Sequence, residues 1–162
     1  MYKDIDELLD HNKKIVEEII AKKRTFLPEV LISIKGNIVP IVIAGDREAI
    51  KNIVKKIEYI GKDLDWVLIM HEGYMDSGYI GVEKDEIDKR RKNYVHGSME
   101  ERYLAGDSTI MWVFVFQAWY RKENGEKYIK RMRVYSIQHK SFAFKLEQDT
   151  DDFKGYLVPL IL

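Results

Sequence analysis

Ile110-Met111-Trp112-Val113-Phe114-Val115-Phe116 is an unbroken apolar run rich in aromatic and β-branched side chains. A strand made from it presents apolar groups on both faces, because successive side chains alternate across a sheet. It needs cover on two sides. One cover is a helix, and the other is a second subunit or, on the competing account, core packing by the first helix. The strand reading extends from Ile110 to Lys122 and resumes from Lys127 to His139. Between them lies Glu123-Asn124-Gly125-Glu126, where Asn-Gly is the strongest short signal for a tight hairpin.

The rest of the chain supplies partners for that hairpin. Residues 4 to 22 place Ile5, Leu8, Leu9, Ile15, Val16, Ile19 and Ile20 at three- and four-residue spacing, with Asp4 and Glu7 as a capping box, and predict an amphipathic helix. Glu29 to Ala44 then alternates at strand period, with a turn at Gly36-Asn37, and Pro40 assigns the second strand to an edge or a bulge. A second helix is expected from Asp46 as N-cap to Gly61 as C-terminal stop, with Ile50, Ile53, Val54, Ile57 and Ile60 on its buried side. Trp66 to Met70 predicts a central strand that ends where His71-Glu72-Gly73-Tyr74-Met75 turns polar. Residues 77–106 read as a mobile insertion that includes a short exposed helix, and Phe142 to Leu146 and Tyr156 to Ile161 as two more strands.

Hairpins with helices set to one side predict an α+β fold: a mainly antiparallel sheet with two helices packed on it, in the order helix-strand-strand-helix-strand-insertion-meander. The 162 residues, 46% of them apolar, fit one domain spanning 1–162. Lys plus Arg and Asp plus Glu both number 27, so no global polycation or acidic tail exists and any electrostatic partner must be met by a local patch. The absence of cysteine excludes disulfide scaffolds, thiol catalysis and cysteine-ligated metals, and suits a cytoplasmic setting. No apolar run approaches a membrane span, so no membrane partner is expected. Twenty isoleucines and nineteen lysines against eight Asn plus Gln match the composition of heat-adapted proteins.

The order helix, hairpin, helix, meander is similar to that of roadblock and longin-like domains, small interaction modules, in topology alone. The span from Leu31 through Gly36, the second helix, Trp66 to Ile69 and Glu72-Gly73-Tyr74-Met75, followed by a loop and a long hairpin, resembles a group of small uncharacterised proteins of prokaryotes and their viruses. The resemblance implies a mobile element, virus or plasmid, as the source, and supplies no activity.

Three sets of residues could carry function. From Arg121 to Lys145 there are eight basic residues against Glu123 and Glu126, a local charge of +6 in a neutral chain. Arg121, Lys130, Arg131 and Arg133 lie among Tyr128 and Tyr135, and bases interleaved with aromatics are what stacking and phosphate contact on single strands require. The bland account is an edge hairpin kept soluble by its bases, and adjacent Lys130 and Arg131 face opposite sides. Second, Glu72 and Tyr74 stand at the expected end of the central strand, where sheets often place binding groups. Third, His71, Glu72, His96 and Asp107 are candidates for a metal, but their spacing matches no zinc motif: Met75 occupies the position where H-E-x-x-H needs its second histidine.

No serine sits in a nucleophile elbow, and Gly73, Gly78 and Gly81 do not form a phosphate-binding loop. Catalytic residues and cofactors are therefore not expected. The reading is a non-enzymatic binding or assembly module, with a homo-oligomer or another protein as partner. Its alternatives are nucleic-acid binding through the basic hairpin and a metal-dependent hydrolase or nuclease.

Overall fold

A computed structural model describes residues 1–22, 24, 26–42, 52, 64–79, 82–92, 95, 98–121 and 128–149. The second helix, Asn124-Gly125, His96 and the strand expected at Tyr156 to Ile161 lie outside the described residues. Helix α1 (Ile5–Ala21) precedes strands β1 (Glu29–Ile34), β2 (Asn37–Val42) and β3 (Leu64–Asp76). A 3-10 turn (Ser77–Tyr79) and helices α2 (Lys84–Arg91) and α3 (Ser98–Leu104) lead to β4 (Ile110–Arg121), β5 (Tyr128–Gln138) and β6 (Ser141–Asp149). The six strands form one antiparallel sheet in the order β2-β1-β3-β4-β5-β6. The architecture is α+β with a dominant antiparallel sheet, as the hairpin pattern requires. Among the described residues no helix is long and apolar enough to cross a membrane.

Helix α1 begins where Asp4 caps it. The Asp4 carboxylate accepts from the Glu7 amide at 2.8 Å, and the Glu7 carboxylate accepts in turn from the Lys3 amide at 2.7 Å. Ile5, Leu8, Leu9, Val16 and Ile20 bury against Trp66, Leu68 and Met70 of β3, Phe114, Phe116 and Ala118 of β4, and Tyr135 and Ile137 of β5. Ile15 departs from the expected stripe and is exposed, while Asn12 is buried there with its side-chain amide donating to the Leu8 carbonyl at 2.9 Å. Phe114 anchors an aromatic cluster, tilted on Phe116, edge-on to Phe26 and stacked on Phe142.

The doubly apolar strand is β4. Trp112, Phe114, Phe116, Ala118 and Tyr120 face α1, while Val113, Val115 and the strand's first residue, Ile110, join Met75, Met132, Val134 and the α3 residue Met99 in a second cluster on the opposite face. Both faces are buried within the single chain, so this strand does not call for a second subunit. The β4–β5 hairpin is also not an edge: β3 flanks it on one side and β6 on the other.

Three local features depart from the alternation in the sequence. The β1–β2 turn is centred on Lys35 and Gly36, both at positive φ (49° and 79°), and Asn37 already pairs with Ile34. Mirror-image hairpin turns need positive φ at both central residues, which glycine adopts without strain. A register shift leaves Asp65 of β3 unpaired, and its carboxylate accepts from the Ser33 hydroxyl at 2.9 Å and the Gly36 amide at 2.7 Å, clasping the hairpin. A second shift leaves Lys145 of β6 unpaired, between Phe144, opposite Tyr135, and Leu146, opposite Val134. That extra residue changes the phase of the strand. Beyond it the odd-numbered Glu147 and Asp149 lie on the face that Phe142 and Phe144 occupied before it.

Strand β3 runs beyond Met70 to Asp76, so His71 and Glu72 stand within the strand and not at its end. The expected end fails because cover changes along the strand: the apolar run lies under α1, and the polar residues lie past the end of the helix. A helix of 17 residues is about 25 Å long, whereas 13 strand residues span about 43 Å. The insertion is tied to that overhanging end. Arg102 of α3 donates to Asp76 at 3.0 Å, to Asp107 at 2.8 Å and to Thr109 at 3.1 Å, and Arg90 of α2 donates to the Gly78 carbonyl at 3.1 Å.

Candidate functional site

The overhang opens a cleft of about 470 Å³, within the size range of small-molecule sites of roughly 300–1,000 Å³. Ile20 and Arg24 border it at the end of α1, and Ile137 completes the apolar wall. Glu72 of β3 and Trp112 of β4 line it from the sheet, Tyr103 of α3 from the far side, and His139 and Lys140 from the β5–β6 turn. Tyr74 reaches the same region through its ring, 5.0 Å from that of Tyr103. Five separate parts of the chain thus meet at one recess.

Glu72 is half-buried, and burial pushes its carboxyl above the ordinary 4.5, partly offset by a hydrogen bond with the Trp112 side chain. The Trp112 indole N–H is the donor, since it is that side chain's sole hydrogen-bonding group. Tyr74 is raised as well, first by burial and then by the charges of Glu100, Tyr103 and Glu72. The Glu72 carboxyl is therefore expected to titrate above its ordinary value in a pH series followed by carbon NMR. Trp112→Phe, which removes the indole donor, is expected to raise it further. A carboxyl that titrates at 4.5 in both proteins would mean that water reaches this part of the cleft freely.

His139 and Lys140 form the two-residue β5–β6 turn, with φ of 48° and 65°. Side-chain-bearing residues in this left-handed region cost on the order of 1 kcal/mol each, and neither position holds the glycine or asparagine that relieves it. The turn sets a ring and an ammonium group at the mouth of the cleft.

The basic hairpin is arranged otherwise. Arg133 lies opposite Phe116 and Arg131 opposite Ala118, on the face covered by α1, and not toward solvent as a nucleic-acid surface requires. The Arg133 guanidinium donates to Asp10 at 2.7 Å, to Asp6 at 2.5 Å and to Glu147 at 2.5 Å. Arg131 donates to Asp149 at 2.6 and 3.0 Å and to Asp6 at 2.8 Å. Asp149 and then Asp6 hold the Arg131 guanidinium above its ordinary value. Four carboxylates thus surround two arginines, and the local charge that the sequence showed as positive becomes negative there. Lys130 is on the opposite face over the Trp119 ring, 5.5 Å from its centroid. Tyr135 is buried and stacked on Phe142. Arg121 closes β4, where it pairs with Tyr128 at the start of β5.

The described metal candidates, His71, Glu72 and Asp107, form no metal-binding cluster. His71 faces away from Glu72, as neighbours on a strand must. It is fully buried, which lowers it from 6.5 to about 4 and keeps the imidazole neutral, and its Nδ1 lies 3.4 Å from the Glu72 carbonyl. Asp107 is engaged by Thr109, whose hydroxyl and amide donate at 2.7 and 2.9 Å, and by Arg102. Those bonds hold its carboxyl down at about 2. Among the described residues no cluster of three or more histidine or acidic side chains is placed to hold a metal ion.

Of the residues singled out in the sequence, Glu72 lines the cleft and Tyr74 touches its wall. Arg24, Tyr103, Trp112 and His139 carried no linear signal of a site, and Lys140 counted only as one base of the hairpin. A hairpin turn written His-Lys in place of Asn-Gly was the one local oddity that could have pointed there.

Fold and cleft together define an α+β domain whose open antiparallel sheet extends past its covering helix into a recess of ligand size. No protein-family model matches the chain, and no curated protein or solved structure is detectably similar to it.

Proposed function

We propose that the protein is a non-enzymatic binding module whose ligand occupies the cleft beyond α1. The observation that carries this reading is the Glu72–Trp112 pair, a half-buried carboxyl and an indole set in a recess with an apolar wall and a polar mouth. Small-molecule sites pair apolar walls with a few convergent polar groups, and this recess combines both, with four of its eight lining residues, Arg24, Glu72, His139 and Lys140, polar. Carboxyl and indole are bonded to each other, so the site is organised before a ligand arrives.

The test is a thermal-shift screen of the full chain against a library of polar metabolites, repeated on Trp112→Ala. Trp112 is only partly buried, at the border of the core. At least one compound is expected to raise the Tm of the parent and to lose ten- to a hundredfold in affinity on the variant. A library without hits, or hits that bind parent and variant alike, overturns the reading. The nucleic-acid alternative has less support, because Arg131 and Arg133 are committed to carboxylates of the same chain.

A further inference from the structure

The cleft has two chemically opposed ends. From the sheet it is lined by Glu72 and Trp112, hydrogen-bonded to each other, and the Tyr103 ring joins the same lining. The basic lining residues Arg24, His139 and Lys140 are all exposed and so mark its solvent side. A half-buried carboxylate lined by aromatic side chains suits an ammonium group, which gains charge-assisted hydrogen bonds from the carboxylate and apolar contact from the rings. A guanidinium, an imidazole and an ammonium suit a carboxylate or phosphate.

Each end also repels half of the simple ligands. A lone cation directed to Glu72 must pass the basic mouth, and a lone anion drawn to the mouth lies near the Glu72 carboxyl. A molecule with an amine at one end and an acid at the other meets attraction at both, and specificity built from repulsion as well as attraction selects it.

We propose that the cleft binds a small zwitterion of the amino-acid type, its amine on Glu72 beside Trp112 and Tyr103 and its acidic group on Arg24, His139 and Lys140. The turn geometry supports this independently of the charges. His139 and Lys140 both hold left-handed backbone that Asn-Gly would adopt with less strain, so the chain gives up local stability where it places these two side chains. The assignment rests on the cleft being the binding surface.

The experiment is calorimetric titration of the full chain with three matched probes: L-phenylalanine, phenethylamine, which lacks the acid, and 3-phenylpropionate, which lacks the amine. Phenylalanine is expected to bind at least tenfold more tightly than either. Glu72→Gln is expected to weaken phenylalanine and phenethylamine about tenfold while leaving phenylpropionate unchanged. His139→Asn combined with Lys140→Gly is expected to weaken phenylalanine and phenylpropionate, spare phenethylamine, and raise the Tm by about 2–4 °C as turn strain is relieved.

That opposite movement of stability and affinity separates a ligand-binding turn from a merely structural one. If the turn variant gains stability and binds phenylalanine as well as the parent does, the mouth does not take the acid and the proposal fails. Phenylpropionate or phenethylamine binding as tightly as phenylalanine marks a single-charge site and overturns the zwitterion. So does the absence of binding by all three. In those cases the metabolite screen still decides separately whether the cleft is a binding site.

Discussion

Arg133→Ala will destabilise the fold by about 3 kcal/mol, at the lower end of the roughly 3–5 kcal/mol that follows loss of one partner from a buried ion pair. The guanidinium is 9% exposed and spends all three nitrogens on Glu147, Asp10 and Asp6. Removing it leaves three carboxylates converging on an empty space beneath α1. Asp10 and Asp6 are 64% and 55% exposed, so water relieves part of their repulsion, which sets the lower figure. Arg131→Ala is expected to cost about 1 kcal/mol, because Asp149 and Asp6 around it are exposed enough to be hydrated without it. Urea titration is the measurement, since urea is uncharged and leaves the ion pairs unscreened. A loss under 1 kcal/mol for Arg133→Ala would show that the carboxylates rehydrate without cost and that apolar packing alone docks the helix.

Acidification will weaken the fold through His71. Its folded value of about 4 lies below the ordinary 6.5, so the unfolded chain binds the proton more readily. The contribution is complete above pH 6.5, is lost as the pH falls toward 4, and totals about 3 kcal/mol. The raised carboxyl of Glu72 acts in the opposite sense, favouring the fold on protonation, and so flattens the curve between 4.5 and its folded value. Asp107 and Asp149, held low by their hydrogen bonds, contribute only below about pH 4. His71→Met keeps a side chain of similar bulk and has nothing to protonate. Its stability in urea is expected to change little from pH 7 to pH 5, while that of the parent falls by more than 1 kcal/mol. Parallel curves for the two proteins would show that the imidazole reaches water in the folded state.

Periodicity made α1, the β1–β2 pair, the β4–β5 pair and the antiparallel α+β layout legible, because their apolar residues recur at the spacing of the face they bury. The end of β3 was misread for a physical reason: burial there no longer comes from α1, and His71 is tolerated inside because it stays neutral. The meaning of Arg131 and Arg133 was hidden by distance. Their counter-ions stand more than a hundred residues away on α1, or beyond the unpaired Lys145 that turns Glu147 and Asp149 inward. No local count of charge sees either. Glu72 and Tyr74 were visible as polar residues following an apolar strand, but the rest of the cleft depends on where the helix stops, which is a property of the assembled layers.

Because the recess exists only where α1 runs out before the sheet does, its dimensions are governed by a count of residues more than by their identities. One further helical turn after Ala21 would advance the helix end by about 5.4 Å and fill the space above Trp112 without altering a strand. One turn fewer would uncover Ile137 and deepen it. Insertion or deletion in the segment between Ala21 and Glu29 would therefore enlarge or shrink the recess while leaving the sheet and its charge clamp intact.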